Sequence, residues 1–319
     1  MATLNKITCG TTEGGNTGIG DCPFLPKHFV GAIIGPVGFK LTAAELASTL
    51  LAALKTGTHA AKAARIYPIQ NFKALDADNT EAPTKQTFGY GDQKFIREGK
   101  YALSFQHVDG GICLHKNLRK FNGTNLAAYF IDADGVLIGY KNGSDLQMIP
   151  LIDFYAQPMK LSAGSEVAKL LIDFQFKPEY LNELIGFVET RDEFNIDDVI
   201  GLEDVVLSVQ TAINATGEVD IKLKTSCGGV DLYDLFKTNF TQLTAWIAKN
   251  KTTGAVITIT AVTANDSTKS WTVNMDSTDV DYPAAAAKLI LSLAAPSVLK
   301  AAPINVEGYE SGELELTAV

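Results

Sequence analysis

Reactive residue types are scarce in this chain, and what is missing excludes more than what is present proves. Four histidines and four cysteines are spread over 319 residues. No two cysteines stand at C-x-x-C spacing, so the paired ligands of a structural zinc site are absent. The densest group is Cys9, Cys22 and His28 near the N-terminus. It admits a metal site, a Cys9–Cys22 disulfide or free thiols, and free thiols are the preferred reading there. No run approaches 18 consecutive apolar residues, which excludes a helix spanning a bilayer. Met1 to Cys9 has neither a basic head nor an apolar stretch of signal-peptide length, so the protein is expected to stay in the cytosol where it is made, unless it leaves inside an assembly. Neither a G-x-x-x-x-G-K-[ST] loop nor a G-x-S-x-G elbow occurs. The glycines between Gly14 and Gly20 have no strand before them or helix after them to make a phosphate cradle, and read as a flexible arm.

The remaining candidates for chemistry each have a plainer structural account. His107, Cys113 and His115 are close in sequence, yet His107 ends a strand, and residues two apart on a helix diverge by about 200°. They are expected to be structural. Asp132-x-Asp134-Gly135 lacks the distant glutamate of a calcium loop and is better explained as a tight hairpin. Asp76-x-Asp78-Asn79-x-Glu81 is expected to be an acidic loop with weak cation affinity at most. Glu179 and Glu183, one helical turn apart, suit a solvated face at a helix start. No catalytic, cofactor-binding or metal-binding residue is therefore assigned, no cofactor is expected, and the chain is read as a non-enzyme.

Composition is that of a globular protein, with 46% apolar and 20% charged residues. Net charge is −9, unevenly placed: residues 196–319 hold 8 Lys/Arg against 16 Asp/Glu, whereas residues 1–195 hold 19 against 20. No basic patch is present to neutralise phosphates, which argues against a dedicated nucleic-acid binder. The acidic half reads as a solubility surface.

Three regions follow from the patterning. Residues 1–40 are expected to be an extended arm rich in Gly, Thr and Pro, ordered only if its own body or a neighbouring subunit holds it. Residues 41–200 read as a β domain with helices. Thr42-x-x-Glu45 is a capping box that opens a helix with an apolar face through Leu46, Leu50 and Leu54, closing at Gly57. A short strand at Ile66–Ile69 carries Pro68, which places it at a sheet edge. Residues 74–86 read as loop. A turn at Gly91-Asp92 leads to a strand over Phe95–Val108, then a helix closed by Asn122-Gly123 and a hairpin through Ala133-Asp134-Gly135. Single strands over Leu146–Ala156 and Val167–Phe176 precede a helix from Pro178 that buries Leu181, Leu184, Ile185 and Val188. Past a charged connection at 190–202, residues 201–319 show short strands separated by turn signals, the pattern of an immunoglobulin-like β-sandwich. The fold class is thus α+β, mainly β.

The run Phe88-Gly-Tyr-Gly91, Arg97-Glu-Gly-Lys-Tyr101 entering a long strand, the Gly110-Gly111 helix and the Phe130–Gly139 hairpin together resemble virion structural proteins of tailed bacteriophages, most closely the major tail tube group. The acidic region after residue 200 resembles the immunoglobulin-like domains that decorate such tubes. The resemblance implies a tube-like β-sandwich or barrel with a flanking helix. Subunits would close into a ring, usually hexameric, and stack into a conduit for DNA. It further implies partners that are copies of the chain and other virion proteins, DNA that passes without specific binding, no membrane, and location in the virion after assembly in host cytoplasm. The long N-terminal section with its capped helix departs from a minimal tube subunit and leaves a neck, baseplate or capsid-associated role open. A carbohydrate-binding sandwich displaying Trp246, Tyr282 or Tyr309 is the rival expectation.

Overall fold

A computed structural model describes Leu4 and residues 26–78, 80–108, 111–190 and 198–319, and the chain divides into two compact units, Met1–Ile200 and Gly201–Val319. The fold is α+β and mainly β, as the patterning predicts.

The first unit is three-layered. Its larger sheet runs β2 (Lys40–Leu41), β10 (Asp145–Gln147), β9 (Val136–Asn142), β8 (Leu126–Asp132), β1 (Phe29–Pro36), β3 (Tyr67–Ile69). β11 (Ile149–Pro150) also pairs with β8, and β14 (Ile185–Glu189) with β9. A second sheet, β12 (Asp153–Ala156), β13 (Leu170–Phe176), β7 (Tyr101–His107), β4 (Phe72–Asp78), covers one face. On the other face lie helices α1 (Ala43–Ser48) and α2 (Leu50–Thr58). β8 is buried along its whole length because it serves both layers. Leu126, Ala128 and Phe130 face the second sheet, where Phe130 meets Phe174 and Phe176 at 5.4 and 5.3 Å between ring centroids. Ala127, Tyr129 and Ile131 face Leu46, Leu50 and Leu54 of the helices. Each of those leucines contributes roughly 1.5–3 kcal/mol by burial. A strand serving two cores reads as a continuous apolar run, without alternation.

Several expectations are corrected here. Phe29–Pro36, assigned to the arm, is a central strand hydrogen-bonded to β8 and β3. Leu4 packs against the helix-side core of its own chain; the other arm residues before 26, the glycines between Gly14 and Gly20 among them, lie outside the described residues. The capping box forms as predicted, with Thr42 and Glu45 bonded reciprocally, but the helix breaks at Thr49 and runs past Gly57. Gly57 is needed for space: a Cβ there would meet Ile66 Cδ1 at 2.8 Å. β3 with Pro68 is an edge strand, in agreement with its sequence. The loop predicted over 74–86 is in part the strands β4 and β5 (Thr84–Thr87). Leu146–Ala156 is three strands in two sheets, and the helix expected from Pro178 is one turn, α4 (Glu179–Asn182), followed by β14. The strand expected over Phe95–Val108 is interrupted at Glu98–Lys100 between β6 (Gln93–Arg97) and β7. The predicted helix before residue 122 is α3 (Gly111–Leu118) with a 3-10 turn behind it.

The second unit is a two-sheet sandwich. One sheet runs β19 (Ile259–Asn265), β20 (Ser270–Met275), β16 (Glu218–Thr225), β15 (Glu203–Thr211), β22 (Tyr309–Ser311). The other runs β18 (Val256–Ile257), β17 (Trp246–Asn250), β21 (Lys288–Leu293), β23 (Leu314–Thr317). Val219, Ile221 and Leu223 alternate inward from β16, as their spacing predicts, onto a core centred on Trp271, Phe240 and Tyr233. Two helices, α5 (Tyr233–Phe236) and α6 (Pro296–Lys300), each supply an end to that core through Tyr233 and Leu299.

Candidate assembly surface

Strands β5 and β6 form a two-stranded ribbon that pairs with no other sheet among the described residues. Its turn is closed by Gly91 N–H donating to the Phe88 carbonyl and Phe88 N–H donating to the Asp92 carbonyl, both at 2.8 Å, with Gly91 at φ +87°. Beyond its base the ribbon has no buried residue. Phe88, Phe95 and Ile96 are about half exposed and Tyr90 is 100% exposed. At the base, Arg97 donates to both oxygens of Glu81, the shorter bond 2.8 Å, while Glu81 N–H donates to the Lys100 carbonyl. Gly99 lets the two legs cross: a Cβ there would overlap the Glu81 carbonyl oxygen at 1.7 Å. The root is thus fixed and the tip bare. An isolated two-stranded hairpin is at best marginally stable in water, and this one leaves four large apolar or aromatic side chains exposed over its two faces and tip.

A second projection prolongs the β12–β13 pair through Lys160↔Lys169 and Ala163↔Glu166, turning at Gly164. It carries Leu161 and Val167, 73% and 66% exposed. Its root is tied to α3, whose His115 Nε2 lies 2.8 Å from the Gln157 carbonyl.

The residues weighed for chemistry do not converge. His107 is buried at the end of β7, while Cys113 and Cys227 are each disulfide-bonded. Cys9 and Cys22, for which free thiols were expected, lie outside the described residues. Asp132 is a turn former: its Oδ1 accepts N–H bonds from Asp134 and Val136 at 2.9 Å, and Asp134 pairs with Lys27 at 2.7 Å. His28 is exposed beside that turn. Asp76 and Asp78 belong to β4 and not to a loop, Asn79 is outside the described residues, and Glu81 is the Arg97 partner. Glu179 lies 3.7 Å from Lys177 and Glu183 caps the short α4. Among the described residues, no three His, Cys, Asp or Glu groups are placed to hold a metal ion, and no helix is long and apolar enough to cross a membrane. Trp246 is 3% exposed with its indole N–H donated to the Phe240 carbonyl at 2.8 Å, so it offers no face to a sugar. Tyr282 and Tyr309 are half-buried against the same core.

The exposed ribbon was missed at the level of sequence because Phe88, Phe95 and Ile96 look like ordinary strand-core residues. The signal was the charge around them: Lys85, Lys94, Arg97 and Glu98 leave no continuous apolar face. No protein-family model matches the chain, and no curated protein matches it.

Proposed function

We propose that the chain is a non-enzymatic structural subunit of a tailed-bacteriophage virion that assembles with copies of itself into rings, as a tail tube subunit does. The observation that carries this reading is the bare ribbon of β5 and β6. Its fixed root and apolar tip fit insertion against a neighbouring subunit, where contacts above roughly 1,000 Å² make a lasting interface. The absence of a basic stripe and the net charge of −9 suit a conduit through which DNA slides without being gripped. Disulfides at Cys113 and Cys227 fit a particle that spends its life outside a reducing cytosol, since virion surfaces are among the places where disulfides persist.

The test replaces residues 85–96 by an Asn-Gly turn and compares both proteins by negative-stain microscopy and sedimentation velocity. The natural chain is expected to form rings or rods, and the shortened one to stay a folded single subunit. A natural chain that remains monomeric at every concentration, or a shortened chain that still builds normal rings, overturns the proposal.

A further inference from the structure

Exposed sheet edges invite pairing with other chains, and folded proteins blunt them with short strands, proline, charge or a covering segment. Almost every edge among the described residues is blunted in this way. In the first unit, β2 is very short and β3 carries Pro68. β12 is capped by the Asn122 amide, which exchanges two hydrogen bonds with Ala156, and β4 carries Lys73, Asp76 and Asp78 in its sequence. In the second unit, β18 is very short and β23 is laced by Glu315 to Lys251 and Lys288. β19 lies against the 3-10 turns Asn239–Thr241 and Leu243–Ala245.

Past Val205 the outer edge of β15 carries none of these devices. β22 pairs with it only at Glu203, Asp204 and Val205. Glu203 N–H points to that side, donating to the Gly308 carbonyl at 2.8 Å. By strand parity Leu207 and Val209 present their N–H and C=O groups to the same side, where no described strand meets them. The Val209 carbonyl is met only loosely by the amide of the next residue, Gln210, at 3.4 Å. From Val205 through Gly217 the chain holds no charged residue and no proline. Val206 and Val209 are 52% and 39% exposed, and the bulge of β15 lies beyond Val209, which leaves Val206–Val209 straight.

We infer that this edge is an interface with the same strand of a second copy, paired antiparallel about a two-fold axis at Ser208. An uncharged edge meets its own image without repulsion, and an isologous contact closes on itself. In that register Leu207 faces Val209 of the other copy as a hydrogen-bonded pair, so the sheet and the apolar layer beneath it continue from one copy into the next. Ser208 faces Ser208 as a non-hydrogen-bonded pair, with Cα atoms about 4.5 Å apart. The contact is small, below the roughly 1,000 Å² of an independent interface, and acts where copies are already concentrated. It does not depend on the ribbon of β5 and β6.

The register is tested by cysteine cross-linking of the full chain. Ser208→Cys falls within the roughly 4.4–6.8 Å Cα separation a disulfide bridges. Val206→Cys, on the same outer face, would lie about 13 Å from its counterpart by strand rise. Under mild oxidation Ser208→Cys is expected to give a reducible dimer whose cross-link maps to position 208 of both copies, severalfold more abundant than from Val206→Cys or the natural chain. Equal yields from both variants, no dimer, or linkage only when a second cysteine is placed at Thr263 of β19 would each overturn the inference; the last would mean head-to-tail pairing instead.

Discussion

Tyr233 shows how one buried side chain holds several charges in place. Its ring is fully buried against Trp271 and its hydroxyl donates to Asp266 Oδ1 at 3.0 Å. The ammonium groups of Lys237 and Lys269 lie 6.0 and 5.3 Å from the ring centroid, and they pair with Asp266 and Asp234 respectively. Burial, then the hydrogen bond to the Asp266 carboxylate, pushes the Tyr233 phenol up to about 12. Between pH ~10, where an unfolded tyrosine ionises, and ~12 the native state therefore keeps a proton that the unfolded chain has lost. The stabilisation is complete below pH ~10 and is lost as pH rises to ~12. Tyr233→Phe is expected to cost ~1 kcal/mol at neutral pH through the lost hydrogen bond. It should also flatten the fall in stability over that alkaline window, as urea unfolding from pH 9 to 12 would record. An unchanged pH slope in the variant would contradict this account.

At the scale of elements, β9 and β14 pair through two opposed glycines, Gly139 and Gly186. A Cβ on Gly139 would meet the Gln147 carbonyl oxygen at 2.4 Å and the Tyr129 ring at 2.8 Å; one on Gly186 would meet Leu146 Cδ1 at 2.7 Å. The missing side chain of Gly139 makes room for Tyr129, whose hydroxyl donates to the Leu146 carbonyl at 2.7 Å and whose phenol burial pushes well above its ordinary value. Gly139→Ala is expected to lose about 1–3 kcal/mol by overpacking, seen as a lower urea midpoint at unchanged m. Gly89→Ala, with open space around it, should stay within about 0.5 kcal/mol of the natural chain. The same glycine pair explains one sequence misreading. Leu181, Leu184, Ile185 and Val188 carry a helical spacing, yet Gly186 fits against β9 only as a strand, and that long-range fit overrides the local period. The Thr42–Glu45 box, the Asp132 turn and the edge position of Pro68 were legible because each is decided within a few residues or by one missing N–H. The ribbon was not, since exposure of Phe95 and Ile96 depends on which strands fail to reach them.

At the scale of the whole chain, each unit closes its own core. In the second unit the buried cluster runs from Val205 to Ala318 and takes in both tryptophans, both sheets and the last strand. Its terminal segments are integral to it: β22 lies parallel to the start of β15, and β23 pairs antiparallel with β21, so the end of the chain stitches one sheet to the other. A unit whose first strand pairs with its last but one, and whose last strand closes the other sheet, has what it needs to fold alone. Residues 201–319, carrying Cys227→Ser so that a lone thiol cannot cross-link copies, are therefore expected to fold as a separate domain. Urea unfolding should be cooperative, with tryptophan fluorescence and far-ultraviolet circular dichroism changing together. A fragment ending at residue 308 removes β22 and β23 and with them the buried Leu316 and Ala318. It should lose that transition, because two core strands would then lie bare along their edges. A cooperative transition surviving in the shorter fragment would show that the C-terminal strands are decoration, and that the sandwich is closed by its hairpins alone.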